Sequence, residues 1–156
     1  MKKVYLAHPI STRGEFHDSK RVANRIRALG FKVYAAAEND SINDKRNDPT
    51  PLDIYYGDID ELRTSDIMVV NLTGGLQDGT ITEIGWVAGW NEAIGSNAVI
   101  NIIGYTSNAR LLMPQFHKGI PSASANHLTL GAIERWGEFV GDENAMIEAL
   151  KRYARD

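Results

Sequence analysis

The chain contains no cysteine, which removes disulfides, thiolate nucleophiles and cysteine-ligated zinc from consideration. Long apolar runs are also missing. The opening "MKKVYLAHPI" carries two lysines, but its apolar stretch is too short for a signal peptide or a transmembrane helix. Neither sign of charge dominates: 17 Lys and Arg stand against 20 Asp and Glu, a formal charge of −3. The electrostatic footprint of a protein that binds DNA, RNA or an anionic membrane is therefore absent, and no such partner is expected. The four histidines, His8, His17, His117 and His127, show no ligand spacing, so neither a metal nor a cofactor is expected. Repeats, linkers and low-complexity tracts are lacking too. A cytoplasmic location follows as the default expectation. The sequon Asn71-Leu72-Thr73 ends a predicted buried strand and reads as chance.

What is present suits one domain spanning residues 1–156, since 156 residues with 43% hydrophobic side chains can bury a single good core. Strands are predicted at Val4–Ala7, in "FKVYAAA", at Ile67–Val70 and in "NAVINIIG". The third is continuously apolar, as a strand covered on both faces should be. Between them, Val22, Ala23, Ile26 and Leu29 recur at helical spacing with Gly30 placed to stop the helix. Pro51 is suited to start another helix, with Leu52, Tyr55, Tyr56, Ile59 and Leu62 as its apolar stripe. The Asn- and Asp-rich segment from Glu38 to Thr50 is predicted to be loop. Beyond Gly104, loop with one turn of helix is expected, then "HLTL" as a short final strand. A terminal helix capped by Asp142 would present Met146, Ile147, Leu150 and Tyr153. Strands alternating with helices imply right-handed crossovers. The expected fold is α/β: a doubly wound, mainly parallel five-stranded sheet with helices on both faces, flavodoxin- or Rossmann-like. Ligands in such sheets bind beyond the carboxyl ends of the strands.

The stretch "LQDGTITEIGWVAGW" places Asp78 and Glu83 at that end. Thr80-Ile81-Thr82-Glu83 matches a capping box, in which Glu83 would satisfy an amide at a helix start. The same position suits a nucleophile, because the helix dipole favours an ionised carboxylate. Asp78 in "GGLQDGT" reads equally as a turn aspartate, and the glycines there lack the spacing and lysine of a phosphate loop. Asp58 lies at the margin of an apolar stripe, with Ile54, Tyr55 and Leu62 as helical neighbours; a carboxylate there is costly unless something binds it, though a solvated helix aspartate is common. Tyr5 reads as core packing, and His8 follows the first strand beside Pro9, facing the crevice. Trp86 and Trp90, one turn apart, suggest packing or an interface. Tyr5, Asp58, Asp78 and Glu83 thus converge on one crevice, and paired carboxylates without a metal suggest glycosyl chemistry.

The motifs "VYLAHP", "DIDELRTSDIMVV" and "QDGTITEIGWVAG" resemble those of the nucleoside 2-deoxyribosyltransferases and the related nucleoside 5′-monophosphate N-glycosidases, from Val4 to about Ile103. The resemblance implies that Glu83 is the nucleophile that takes the sugar, oriented by Tyr5. Asp78, next to Gly79, and Asp58 would hold the base, one of them passing a proton to its leaving nitrogen; Asp40 would contact the base. It further implies a nucleoside or nucleotide and a free nucleobase as partners, and a homo-oligomer with sites shared between subunits. The pattern departs at His8, where transferases have a small residue, and at "ARLLMPQFHKG", where they carry an asparagine for the sugar 5′-hydroxyl. Ser11 and Arg13 could instead bind a 5′-phosphate, as in the hydrolases, or belong to an ordinary polar loop. The leading reading is a nucleoside 2-deoxyribosyltransferase that passes through a glycosyl–Glu83 intermediate; the alternatives are a 2′-deoxynucleoside 5′-monophosphate N-glycosidase, with water as acceptor, and a non-catalytic nucleotide-binding module.

Overall fold

The computed structural model of the chain describes residues 1–73, 77–95 and 99–154. Its main sheet has five parallel strands: β1 (Lys3–Ala7), β2 (Lys32–Ala35), β3 (Ile67–Asn71), β4 (Asn101–Tyr105) and β7 (Gly137–Gly141), in the order β2-β1-β3-β4-β7. Around it lie α1 (Arg13–Arg27), α2 (Asp40–Asn43), α3 (Pro51–Arg63), α4 (Asp78–Ile94), α5 (Ala109–Leu112), α6 (His127–Trp136) and α7 (Glu143–Ala154). Two short strands, β5 (Phe116–His117) and β6 (Ile120–Pro121), form an antiparallel hairpin.

The period-two alternation of strand side chains sorts the core into two layers. Val4, Leu6, Ile67, Val69, Ile103 and Tyr105 face α1 and α7. Tyr5, Ala7, Met68, Val70 and Ile102 face α3, α4 and α6, where they meet Ile59, Leu62, Ile84, Val87 and Ile133. This is the expected doubly wound arrangement, with helices on both faces. Chain order reverses between β1 and β3, and there the crevice opens.

Several local expectations are corrected. The segment from Glu38 to Thr50 is not plain loop: 3-10 turns at Ala36–Glu38 and Lys45–Asn47 flank α2. Its Asn and Asp residues act as caps, with Asn39 accepting from the Ser41 amide (3.2 Å) and Asp44 from the Arg46 amide (3.0 Å). "HLTL" starts α6, because Asn126 accepts from the Leu128 and Thr129 amides at its N-terminus. The fifth strand is "GEFVG", where Gly137 is required: a Cβ there would lie 1.8 Å from the Ile102 carbonyl oxygen. On α3, Thr50 and Asp53 form a reciprocal cap before Pro51, but only Ile59 and Leu62 of the predicted stripe are buried; Leu52, Tyr55 and Tyr56 are exposed. The terminal helix follows expectation, with the Asp142 carboxylate accepting from the Ala145 amide (2.8 Å). Gly74 and Gly75, which raised the phosphate-loop question, lie outside the described residues.

Candidate active site

The cavity at the switch between β1 and β3 has a volume of about 370 Å³, lined by residues of β1, the loop after it, Ala36, Asp58 of α3 and the start of α4. That size is within the range of small-molecule sites. Each wall has a distinct local cause. Tyr5 points from β1 into the α3–α4 layer because its neighbours Val4 and Leu6 take the opposite face. Gln77 closes the loop before α4: its amide donates to the Asn71 carbonyl and its oxygen accepts from the Thr73 amide, both at 2.7 Å.

α4 begins at Asp78, and Gln77 at its N-cap makes no side-chain capping bond. The predicted Thr80–Glu83 capping box is therefore absent. Thr80 is buried within the first turn, and Glu83 lies in the second, one turn too far along to reach the free amides. Glu83 instead accepts a hydrogen bond from the Tyr5 hydroxyl at 2.6 Å. Burial pushes its carboxyl up to about 8, with the Tyr5 bond working against the shift and the Asp58 charge adding to it. Desolvation thus outweighs the helix dipole expected to keep it ionised. Tyr5 is itself raised well above its ordinary value, chiefly by burial and then by Glu83.

Asp58 is half-buried, and burial raises its carboxyl despite the hydroxyls of Tyr34 and Tyr5. The Tyr34 hydroxyl donates to Asp58 Oδ1 (2.8 Å), and Asn39 Nδ2 donates to the Tyr34 oxygen (3.1 Å). The rings of Tyr5 and Tyr34 stack obliquely with centroids 5.1 Å apart. Asp78 and Gly79 line the mouth at the tip of α4.

His8 lines the cavity but is held by protein on both nitrogens: Nδ1 donates to the Pro9 carbonyl (2.7 Å), and Nε2 lies 3.1 Å from both Asn71 Nδ2 and Asp18 Oδ2. Of the two residues considered for a 5′-phosphate, Ser11 lines the cavity. Arg13 does not; it opens α1 and is exposed. Asp40 is also outside the lining, exposed as the first residue of α2, and its neighbour Asn39 is the residue turned toward the site. Tyr34 and Asn39 were missed in the sequence because a strand tyrosine and a loop asparagine are common in core and turns. The signal that could have found Tyr34 is its register, directly beside Tyr5 in the β1–β2 pairing. Among the described residues, no cluster of three or more His, Asp or Glu is placed to hold a metal ion, and no helix is long and apolar enough to cross a membrane.

A five-stranded sheet in this order, with a hydroxyl-held carboxylate and two further aspartates at its switch point, defines an α/β protein built around a small-molecule site of carboxylates. A family model described as nucleoside 2-deoxyribosyltransferase matches residues 4–149. The chain belongs to the nucleoside 2-deoxyribosyltransferase family. Its fold is similar to a conserved protein from Enterococcus faecalis V583, with a TM-score of 0.81 and 23% identity over 98% of this chain and 99% of the other. It is also similar to the 2-deoxyribosyltransferase from the psychrotolerant Bacillus psychrosaccharolyticus, with a TM-score of 0.61 and 14% identity over 97% and 91% of the two chains. No curated protein matches the sequence.

Proposed function

We propose that the chain is a nucleoside 2-deoxyribosyltransferase that cleaves the N-glycosidic bond of a 2′-deoxynucleoside and passes the sugar to another base. The observation that carries this reading is Glu83, drawn out of the capping role and held by Tyr5 beside a cavity that Asp58 and Asp78 also line. A Glu83 carboxylate oxygen attacks C1′. The C1′–N bond breaks, its electron pair leaves with the base, and the base nitrogen takes a proton from one of the two aspartates. A second base then attacks C1′ through its nitrogen and loses its proton to the same aspartate, and the Glu83–C1′ bond breaks. Two displacements retain configuration. The Tyr5 hydroxyl orients the carboxylate and stabilises it as it is released.

Glu83 must be ionised to attack, and burial holds it near 8. The reactive form also needs one aspartate protonated, so in the free enzyme kcat/KM follows a bell-shaped pH profile, with one limb belonging to Glu83 and the other to the donor aspartate. The test is chromatography of the products from 2′-deoxynucleosides, with and without a second free base, and from the corresponding 5′-monophosphates. A new deoxynucleoside that requires the second base supports transfer. Base released from the monophosphates alone replaces transfer with N-glycosidase hydrolysis, a reading favoured only by Ser11 in the lining. No turnover by the folded protein would leave a nucleotide-binding module.

A further inference from the structure

The hydrogen bonds around Asp58 run in a forced direction. Asn39 Oδ1 accepts from the backbone amide of Ser41 (3.2 Å) and from its hydroxyl (2.5 Å). A backbone N–H can only donate, so the oxygen of the Asn39 amide is fixed on that side. Its nitrogen therefore faces Tyr34, where it donates to the phenolic oxygen at 3.1 Å. With an N–H directed at its oxygen, the Tyr34 hydroxyl spends its own proton on Asp58 Oδ1 at 2.8 Å. Tyr34 keeps that proton at working pH, because burial raises it above its ordinary value. Tyr5, the other phenol near Asp58, gives its single proton to Glu83. Oδ1 of Asp58 is thus locked as an acceptor, and any proton the carboxyl carries resides on Oδ2.

We propose that Tyr34 and Asn39 are positioning residues: the chain of hydrogen bonds from Asn39 through the Tyr34 hydroxyl holds Asp58 with Oδ2 as its proton-bearing atom, the one from which a proton passes to the leaving base. The inference rests on the glycosyl-transfer reading and deepens it. In the step, the Oδ2–H bond breaks and its proton joins the base nitrogen, which keeps the electron pair of the C1′–N bond; Asp58 is left as a carboxylate with Oδ1 already bonded to Tyr34. Asp78, exposed at the first turn of α4, has no comparable support among the described residues. The charged and titratable groups facing Asp58 are Tyr34 of β2, Tyr5 of β1, Glu83 of α4 and Glu61 on its own helix.

The test compares wild type with Tyr34→Phe, Asn39→Asp and the double variant. Phenylalanine keeps the ring against Tyr5 and removes only the hydroxyl. Aspartate keeps the α2 cap but turns an acceptor toward Tyr34, drawing the phenolic proton away from Asp58. The first readout needs no substrate: titration of the Asp58 carboxyl carbon by NMR in the free protein. Tyr34→Phe should raise its midpoint, since a donor that favours the carboxylate is lost. Asn39→Asp should raise it too, and most of that increase should vanish in the Tyr34→Phe background. An undiminished increase means that the new charge acts through space, and overturns the relay. The second readout is turnover of 2′-deoxynucleosides. Tyr34→Phe should lower kcat about 10- to 100-fold, with the limb of the pH profile belonging to Asp58 displaced upward and that of Glu83 in place. An unchanged kcat overturns Tyr34 as a positioning residue for the reaction. Wild-type protein inactive on every nucleoside and monophosphate tested would overturn the functional reading instead, and the titration would still decide the relay.

Discussion

At the scale of single residues, Glu83 joins stability to activity. Its carboxyl titrates near 8 in the fold against an ordinary value of 4.5. Below pH 4.5 both folded and unfolded forms hold the proton, and burial costs nothing through ionisation. Between 4.5 and 8 the unfolded chain gives up the proton while the folded chain keeps it, so stability falls as pH rises, by roughly 1.4 kcal/mol per unit at most. Above 8 both are ionised and the full cost is present. Glu83→Gln removes this cost and retains an oxygen for the Tyr5 hydroxyl. The variant should gain on wild type in thermal unfolding as pH is raised from 5 to 8.5, and should lose turnover at every pH. A constant difference in melting temperature across that range would show that the carboxyl is not desolvated. A residue whose removal stabilises the fold and abolishes the reaction is one kept for chemistry rather than for structure. The motif made Glu83 legible in the sequence, but its role as a cap was misjudged. The capping pattern depends on where the helix starts, and that start is set by Gln77, whose two bonds join residues the sequence does not mark as partners.

At the scale of elements, legibility followed burial. β3 is buried at all five positions and β1 at four, so a continuous apolar run identified them directly. β7 has no fully buried residue, and "GEFVG" gives no period to read; its place depends on Gly137 reaching the Ile102 backbone. α6 was mistaken for a strand because Leu128, which supports that pattern, is almost wholly exposed in the helix. The same limit hid half of the site. Asp58 could be placed on its helix, whereas Tyr34 comes from β2 and reaches Asp58 only across the layer, and Asn39, from the turn after it, bonds Tyr34 in turn. α4 provides the sharpest test at this scale, because a single side chain secures its entry. Gln77→Ala leaves the Thr73 amide and the Asn71 carbonyl without partners, which should cost about 1–3 kcal/mol in denaturant unfolding. It should also reduce turnover, since Asp78 and Glu83 are carried on the helix so released. A loss of stability with full activity would mean that the tether serves the fold alone.

At the scale of the whole molecule, the carboxylates Asp58, Asp78 and Glu83 share one cavity, while several large apolar side chains stand open to solvent elsewhere. Met113, Phe116, Ile120 and Leu128 are 80%, 67%, 70% and 84% exposed. They lie in the hairpin, the turn before it and the start of α6, and Met113 and Phe116 fall within "ARLLMPQFHKG". Large apolar side chains concentrated in one part of a surface mark contact sites more often than solvent-facing faces. The expected partner is a second copy of the chain. Light scattering coupled to size-exclusion chromatography should therefore give a mass above the 17.3 kDa of one chain. Replacing Phe116 and Ile120 by Asp should reduce it to that value without loss of circular dichroism, because neither side chain belongs to the core. If the neighbour completes the cavity, the dissociated variant loses turnover while Tyr5, Asp58 and Glu83 remain in place. If the dissociated variant keeps full turnover, each site is complete within its own chain, and the contact serves only to cover the hairpin. A wild-type protein of 17.3 kDa at micromolar concentration would remove the oligomer altogether and leave these side chains to another partner.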